Sequence, residues 1–488
     1  MDAVFLSSCV PYDLVTLCRP LGPYQLAWYL RQHSYRVQVI DFVFTMSVDK
    51  IMSLLCHYVT DQTKVLGIGT MMQAGPTMAT IEKKFETVLR NSRRKWPNLQ
   101  IVVGGSGAMR WSRQHRNRTL FDYVFTGHAE DSMLAFMNCL YRDGAAVPWE
   151  LKDGNRIVRE SFSFAGIDQF QIENCQFRWH NNDGIQPGES LPLEMSRGCI
   201  FRCRFCSYPY RGKKKNDFNK GIDNIRQELI DNYQRFGTTT YYMLEDTFNA
   251  DQDRMTAFFD MVETLPFRIR YCTYLRPDLL YAHPDSIARL KQSGLVGAYL
   301  GVETLDADAA DTIGKPWSGR HAREFIPRLV HDLWNDDVAV HLGMIAGIPP
   351  QTKLSVLENN DWCIQNGLHR VSWHFLGINR DSFEEHRSDF DVDAGKYGVE
   401  WTVRDGRPIW KHRACDEIEA MEWQNLCQEQ MKPYLQIACW SLIEAANYGI
   451  DIYATRNHRR IDYDWPTINI ARRKFLNEYT QSLMSVET

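Results

Sequence analysis

Three cysteines stand close together in the stretch Ser196-Arg197-Gly198-Cys199-Ile200-Phe201-Arg202-Cys203-Arg204-Phe205-Cys206. The spacing, C-x3-C-x2-C, puts Cys199, Cys203 and Cys206 on one short segment. Three thiolates can hold three irons of a [4Fe–4S] cluster and leave the fourth iron open to a small molecule. The gaps are too short for a helix to present all three sulfurs on one face, so a loop is predicted. The competing readings are zinc and chance clustering. Zinc takes four ligands, usually in two C-x2-C-like pairs. The chain has no second pair, and His180 is poorly spaced to complete a site.

Such a loop needs a scaffold. Apolar strands are predicted over 191–196, 239–246, 268–274, 297–303, 338–347 and 370–376, and helices over 220–236, 284–292, 319–335 and 354–366. The alternation predicts a partial (β/α)6 barrel of the TIM type over residues 185–380. Function in such barrels collects at the carboxyl ends of strands. Asp246, Arg276 and Glu303 stand there with the cysteine loop. Each alone reads equally well as a helix cap or a surface charge; together they describe one mouth. His341, His374 and Tyr242 are candidates for substrate contact or proton handling, with core packing as the alternative. The run Arg211-Gly212-Lys213-Lys214-Lys215 reads as a solvated basic loop, or as an attractor for an acidic substrate or a flavodoxin.

Residues 1–150 alternate in the same way. Strands are predicted at 3–6, 35–41, 64–69, 99–105 and 121–127, with helices at 24–33 and 77–94. This is the pattern of a doubly wound, Rossmann-like parallel sheet. Gly67, Gly69, Gly104, Gly105, Gly107 and Gly127 lie at strand ends, where ligands of open α/β sheets bind and glycine permits close approach. Tight turns are the alternative reading. No G-x-G-x-x-G occurs, so a dinucleotide is not indicated.

Residues 151–184 read as a linker and 381–488 as a mostly helical region, with short strands near 397–401 and 407–410 and helices over 416–448 and 467–484. Cys415, Cys427 and Cys439 recur every twelve residues. That interval turns a helical side chain by about a third of a turn, so buried free thiols are expected and not a second cluster. The chain has 488 residues, 44% hydrophobic and 24% charged, with net charge −4. That is a globular composition with no electrostatic case for nucleic acid. The 13 cysteines show no disulfide framework, which points to a reducing, cytoplasmic setting. No signal peptide or membrane span is expected.

The cysteine loop and the strand ends after it resemble the radical S-adenosylmethionine (SAM) superfamily. Cys199, Cys203, Phe205 and Cys206 match C-x3-C-x-aromatic-C. Leu244-Glu245-Asp246-Thr247-Phe248 resembles the second-strand acidic motif, and Tyr274-Leu275-Arg276-Pro277-Asp278 the arginine–aspartate motif. Gly301-Val302-Glu303-Thr304 is similar to the ribose-side motif, with Thr304 for the usual serine. Gly343-Met344-Ile345-Ala346-Gly347-Ile348-Pro349 is similar to the adenine-packing strand. The family's P-G-E-T is here Pro349-Pro350-Gln351-Thr352. The resemblance implies a [4Fe–4S] cluster on the three cysteines. It implies SAM chelated to the open iron, near Phe205, Asp246, Arg276, Gly301, Glu303 and Ile345.

The N-terminal part resembles the cobalamin-binding domain that precedes many such barrels. Its strand-end loops, with Gly22, Thr70, Gly104, Gly105, Gly127 and Glu130, would hold the corrin and its nucleotide tail. The D-x-H-x-x-G motif is absent, and His128 replaces the glutamate of the G-E-x-E turn. Cys9, Cys18 and Cys56 do not match the second-cluster cysteines of methylthiotransferases. The resemblance implies methyl transfer to an unactivated carbon of a small molecule or peptide, with flavodoxin or ferredoxin as reductant. Ring formation, rearrangement or oxidation by the same radical is the alternative; an iron–sulfur sensor is the non-enzymatic one.

Overall fold

The computed structural model describes residues 1–9, 17–69, 76–105, 108, 120–152, 154–208, 210–315, 317, 319–378 and 387–486, with backbone alone for 76–82. The chain divides into two compact units. The first comprises Met1–Pro192, Gln227–Thr238 and Ile468–Thr488; the second comprises Leu193–Arg226 and Thr239–Thr467.

The first unit holds β1 (Ala3–Leu6), β2 (Val37–Ile40), β3 (Val65–Gly69), β4 (Gln100–Gly104), β5 (Tyr123–Thr126), β6 (Glu150–Lys152) and β7 (Asn155–Arg159), in the order β2-β1-β3-β4-β5-β7-β6. All pair in parallel except β6 with β7. β1 and β2 are buried at every position, as a sheet covered on both faces requires. The helix Val48–Tyr58 shows how the cover is written locally. Ser47 caps it by accepting from the Lys50 N–H, and Ile51, Leu54, Leu55 and Tyr58 form its buried stripe. The strand order reverses direction between β1 and β3, a switch point where open sheets leave a crevice.

Two features depart from the predicted boundaries. β6 and β7 carry the first sheet into the segment read as a linker. The last helix, Trp465–Met484, also contributes to this unit, with Phe475 and Tyr479 against Phe42 and the Tyr479 hydroxyl accepting from the Asp41 N–H. Periodicity marks a helix as amphipathic but does not say which core receives its apolar face.

The second sheet contains β8 (Leu191–Glu194), β9 (Thr240–Leu244), β10 (Arg270–Leu275), β11 (Leu295–Glu303), β12 (Ala339–Ala346) and β13 (Val371–Phe375), neighbours in sequence order. From β9 to β13 the strands pair in parallel. The α/β class, the partial barrel strand set and the helix-rich C-terminal region match expectation. After the sixth strand come a short helix, Asp389–Val392, and later the helix Glu417–Met431, which packs on β12 and β13. It comes after an antiparallel sheet of β14 (Glu400–Arg404), β15 (Arg407–His412) and β16 (Cys415–Asp416). A helix beyond residue 380 therefore packs on this sheet. Two short helices, Pro277–Ala282 and Ala307–Thr312, lie at strand ends where none was predicted. The helix Gly319–Arg328 loosens into a π-turn, Leu329–Leu333. No helix among the described residues is long and apolar enough to cross a membrane.

Candidate active site

The cysteine loop leaves β8 and is held from behind by the basic run. The Gly212 N–H donates to the carbonyls of Cys199 (2.6 Å) and Phe201 (2.9 Å), and the Lys213 N–H to that of Cys199 (3.2 Å). Both supporting glycines are at positive φ, and a Cβ would overlap Tyr210 at Gly198 and Arg202 at Gly212. Three cations of the run are engaged within the chain: Arg211 with Asp389 (2.6 Å), Lys213 with Asn219 (3.0 Å) and Lys215 with Asp253 (2.7 Å). The run is a strap for the loop; that role was missed in the sequence.

Each thiol has its own donor. Cys199 Sγ lies 3.4 Å from the Thr247 hydroxyl and accepts from the Phe201 N–H at 3.5 Å. The Tyr208 N–H bonds Cys206. Arg276 Nη1 donates to Cys203 Sγ at 3.4 Å. Burial raises the Cys199 thiol and pushes Cys206 up to about 12. The thiolate forms that bind metal would therefore need the cation charge of a bound cluster. Among the described residues, no three His, Cys, Asp or Glu side chains converge as the ligands of one ion would. A [4Fe–4S] cluster asks for something different, because its three sulfurs bind three irons. The all-thiol donor set and the individually bonded sulfurs fit that group.

The neighbouring strand ends are wired together. After β9, Glu245 accepts from the Ser196 hydroxyl at 3.0 Å and is pushed by burial up to about 7. Asp246 is pushed by burial to about 6, with Lys213 opposing the shift. After β10, the Arg276 backbone is clamped by Asn249, which accepts from its N–H and donates to its carbonyl, both at 2.9 Å. The Arg276 guanidinium bonds Asp278 twice (3.0 and 2.7 Å) and lies 4.0 Å above the Phe201 ring. After β11, Glu303 is at φ +67° and pairs with the buried Lys315 at 3.2 Å; Lys315 also donates to the Gly301 carbonyl. A Cβ at Gly301 would come within 2.7 Å of the Glu303 carboxylate. Two of the departures from the family motifs meet: Gln351 Nε2 donates to Thr304 Oγ1 at 2.9 Å, and Gln351 Oε1 accepts from the Ile348 N–H. Ile345 is buried on β12, and Phe205 is half-buried in the cysteine loop. Asn249, Lys315 and Gln351 were not singled out from the sequence. Only Gln351 lay within one of the family-like motifs.

Below this ring the interior is aromatic. Tyr274, Tyr299 and His341 are in register on β10, β11 and β12. Trp440, on the helix Cys439–Glu444, stacks on His341 (5.2 Å) and Tyr299 (5.3 Å). His341 Nε2 is 2.7 Å from the Ser372 hydroxyl, and its Nδ1 has no partner among the described residues. Burial, aided by Arg370 and His374, pushes His341 down to about 3, so it is neutral. His374 is exposed on β13, and the protein crowded around its ring lowers it, against the pull of Glu303. Tyr242 packs with Cys272, Val296 and Ile443. Tyr274 keeps 42% of its surface exposed and Tyr208 47%. Cys415, Cys427 and Cys439 are free, buried thiols.

The first unit's strand ends differ. Gly69, Gly104 and Gly105 close β3 and β4, with Gly105 at φ +92°; Gly22 lies in the helix Leu21–Gln32 with open space at its Cβ position. The Ser7 hydroxyl, just after β1, is buried without a partner among the described residues. Glycine backbone, open at Gly22 though met by Pro23 at Gly69, and the Ser7 hydroxyl at the switch point fit a large polar ligand such as a corrin. Gly127 is less open: Glu160 fills the space beside it and accepts from the His128 N–H at 3.1 Å. Glu130 is buried in the first turn of the helix Glu130–Tyr141. Thr70 and Gly107 lie outside the described residues. The Cys9 and Cys18 sulfurs lie 2.9 Å apart, while Cys56 is beside Lys95.

Residues 193–386 match the model of the Radical SAM superfamily. The anaerobic magnesium-protoporphyrin IX monomethyl ester cyclase of Cereibacter sphaeroides is 22% identical over 358 residues, 69% of this chain and 56% of the relative. The chain thus spans little more than half the length of that protein. Among solved structures, the radical SAM methyltransferase TsrM from Kitasatospora setae, with cobalamin and a [4Fe–4S] cluster bound, matches with a TM-score of 0.60 at 13% identity. That match covers 98% of this chain and 99% of TsrM. The cobalamin-dependent radical SAM enzyme OxsB, with aqua-cobalamin bound, matches with a TM-score of 0.55 at 16% identity, over 81% of this chain and 56% of OxsB. A radical SAM domain implies a [4Fe–4S] cluster and SAM. The chain carries such a domain and shares its fold with the cobalamin-dependent radical SAM enzymes.

Proposed function

We propose that this protein is a cobalamin-dependent radical SAM methyltransferase. Cys199, Cys203 and Cys206 would hold the cluster, the ends of β9 to β12 would hold SAM, and the ends of β1, β3 and β4 would hold cobalamin. The observation that carries the reading is the cysteine loop with a separate donor on each sulfur, at the carboxyl end of the first barrel strand. The full-length likeness in fold to TsrM supports the methyl-transfer part. When bound, these groups supply a 5′-deoxyadenosyl radical and a transferable methyl group.

The protein's part is to bind, orient and exclude water. Glu303, at a strained positive φ and paired with Lys315, is a fixed acceptor for the SAM ribose. Ile345 offers an apolar surface to the adenine. The exposed faces of Tyr208 and Tyr274 receive the substrate above the Trp440 plug, and neutral His341 and His374 add no charge there. The reductant is a flavodoxin- or ferredoxin-like protein. The relation to the cyclase favours ring formation as the second reading.

The test is anaerobic reconstitution followed by reduction with methyl-labelled SAM. Label in the product supports methyl transfer, whereas 5′-deoxyadenosine without label supports the second reading. No 5′-deoxyadenosine from a loaded protein sinks both and leaves a sensor. Corrin absorbance after incubation with hydroxocobalamin tests the first unit separately.

A further inference from the structure

We propose that Arg276 is a positioning residue of the metal centre and raises the reduction potential of the cluster through the sulfur of Cys203. The inference rests on the reading of the three cysteines as cluster ligands. The sequence motif groups Arg276 with SAM; the geometry turns it to a sulfur.

The three sulfurs are not treated alike. Cys199 and Cys206 accept from backbone N–H groups, and the Thr247 hydroxyl beside Cys199 is likewise neutral. Cys203 accepts from a guanidinium, which stays charged in proteins. The arrangement is built to aim one arm. Nε and Nη2 are taken by the two oxygens of Asp278, and this leaves Nη1 for the sulfur. The Phe201 ring supports the guanidinium plane, and the buried Asn249 fixes the backbone from both its N–H and its carbonyl. The carboxylate lies on another edge of the guanidinium, so the charge nearest Cys203 is positive.

Reduction adds one electron to the cluster and its thiolates. A cation held against one of those sulfurs stabilises the reduced form more than the oxidised one, so the potential rises. Removing the guanidinium leaves Asp278 as an unbalanced negative charge and lowers the potential. Removing the carboxylate charge alone raises it. Two neighbouring substitutions should therefore move the potential in opposite directions, which a merely structural role does not require.

The experiment is a potentiometric titration of the reconstituted full-length protein, followed by the paramagnetic resonance signal of the reduced cluster. It compares wild type, Arg276→Met and Asp278→Asn, with iron and sulfide content and circular dichroism measured on each. The expected result is a midpoint shifted to more negative potential in R276M and to more positive potential in D278N, at wild-type iron content. Unmoved midpoints in fully loaded variants overturn the proposal. So does an R276M protein that loses SAM binding at an unchanged potential. Should R276M fail to fold, D278N decides alone: a positive shift supports the proposal and an unchanged midpoint overturns it. A wild-type protein that takes up no cluster overturns the cluster reading itself, and this inference with it.

Discussion

The strand ends of the two sheets are built on opposite principles. In the second sheet, side chains tie one end to the next: Ser196 to Glu245, Asn249 to Arg276, Arg276 to Cys203, Gln351 to Thr304. In the first sheet, β3 and β4 end in glycines and offer backbone. The polar side chain that follows β2, Asp41, is turned into the unit's own core, where it accepts from the Tyr24 hydroxyl at 3.0 Å. A small reactive centre has to be held by many short side-chain contacts, because an error of an ångström costs reactivity. A broad ligand of the corrin kind needs side chains left out. Mutations should therefore act differently on the two sides.

The largest effect is expected at the cysteine loop. Cys203→Ala should abolish bound iron and all 5′-deoxyadenosine formation, measured by iron assay and chromatography, while corrin uptake persists. SAM cleavage by that variant would break the comparison at its root. Next is the buried cluster of the first unit. Arg19, fully buried, bonds Glu189 at 2.5 and 3.0 Å and Tyr24 at 2.6 Å. Arg19→Ala leaves the Glu189 carboxylate without its partner and should cost about 3–5 kcal/mol. Denaturant unfolding checks this, and a cost under about 1 kcal/mol would show that water replaces the guanidinium easily.

Gln351→Ala should cost about 1–3 kcal/mol, since the buried Thr304 hydroxyl and Ile348 N–H both lose a partner. Thr304→Ser keeps the bond and loses only one buried methyl, so it should cost about 1 kcal/mol in the same unfolding assay. The remaining predictions are pH slopes of opposite sign. Burial raises Asp41 to about 7, so the folded protein keeps a proton that the unfolded chain releases. That contribution is complete below the unfolded carboxyl value and is lost as pH rises towards about 7. Burial lowers His341 to about 3, so its contribution is complete above the unfolded histidine value and is lost as pH falls. Each slope is at most ~1.4 kcal/mol per pH unit. Asp41→Asn should flatten the alkaline-side loss and His341→Gln the acid-side loss in unfolding curves from pH 5 to 8. Parallel changes in the two variants would contradict these environments.

Both sheets were legible because buried parallel strands read as continuous apolar runs. The cysteine loop was legible because three thiols at that spacing suit few other purposes. The helix Glu417–Met431 escaped assignment to the barrel because an antiparallel sheet separates it from β13 in sequence; pairing by proximity fails across an insertion. Lys315 was missed because a lysine beside glycine and proline looks like an exposed turn. Nothing local in the sequence says which rings Trp440 meets. It plugs the interior, where it stacks on His341 and Tyr299.

By itself the sequence determined the class of the fold, the identity of the three thiols and the strand ends that carry charge. These follow from local periodicity and from the chemistry of residue types. Tertiary structure decided where those groups point: Arg276 to a sulfur, Glu303 to Lys315, Gln351 to Thr304, the basic run onto the loop. Each of these contacts joins residues on different turns of the fold. Their distances are set by how the strands align and how the loops return, which no local pattern encodes.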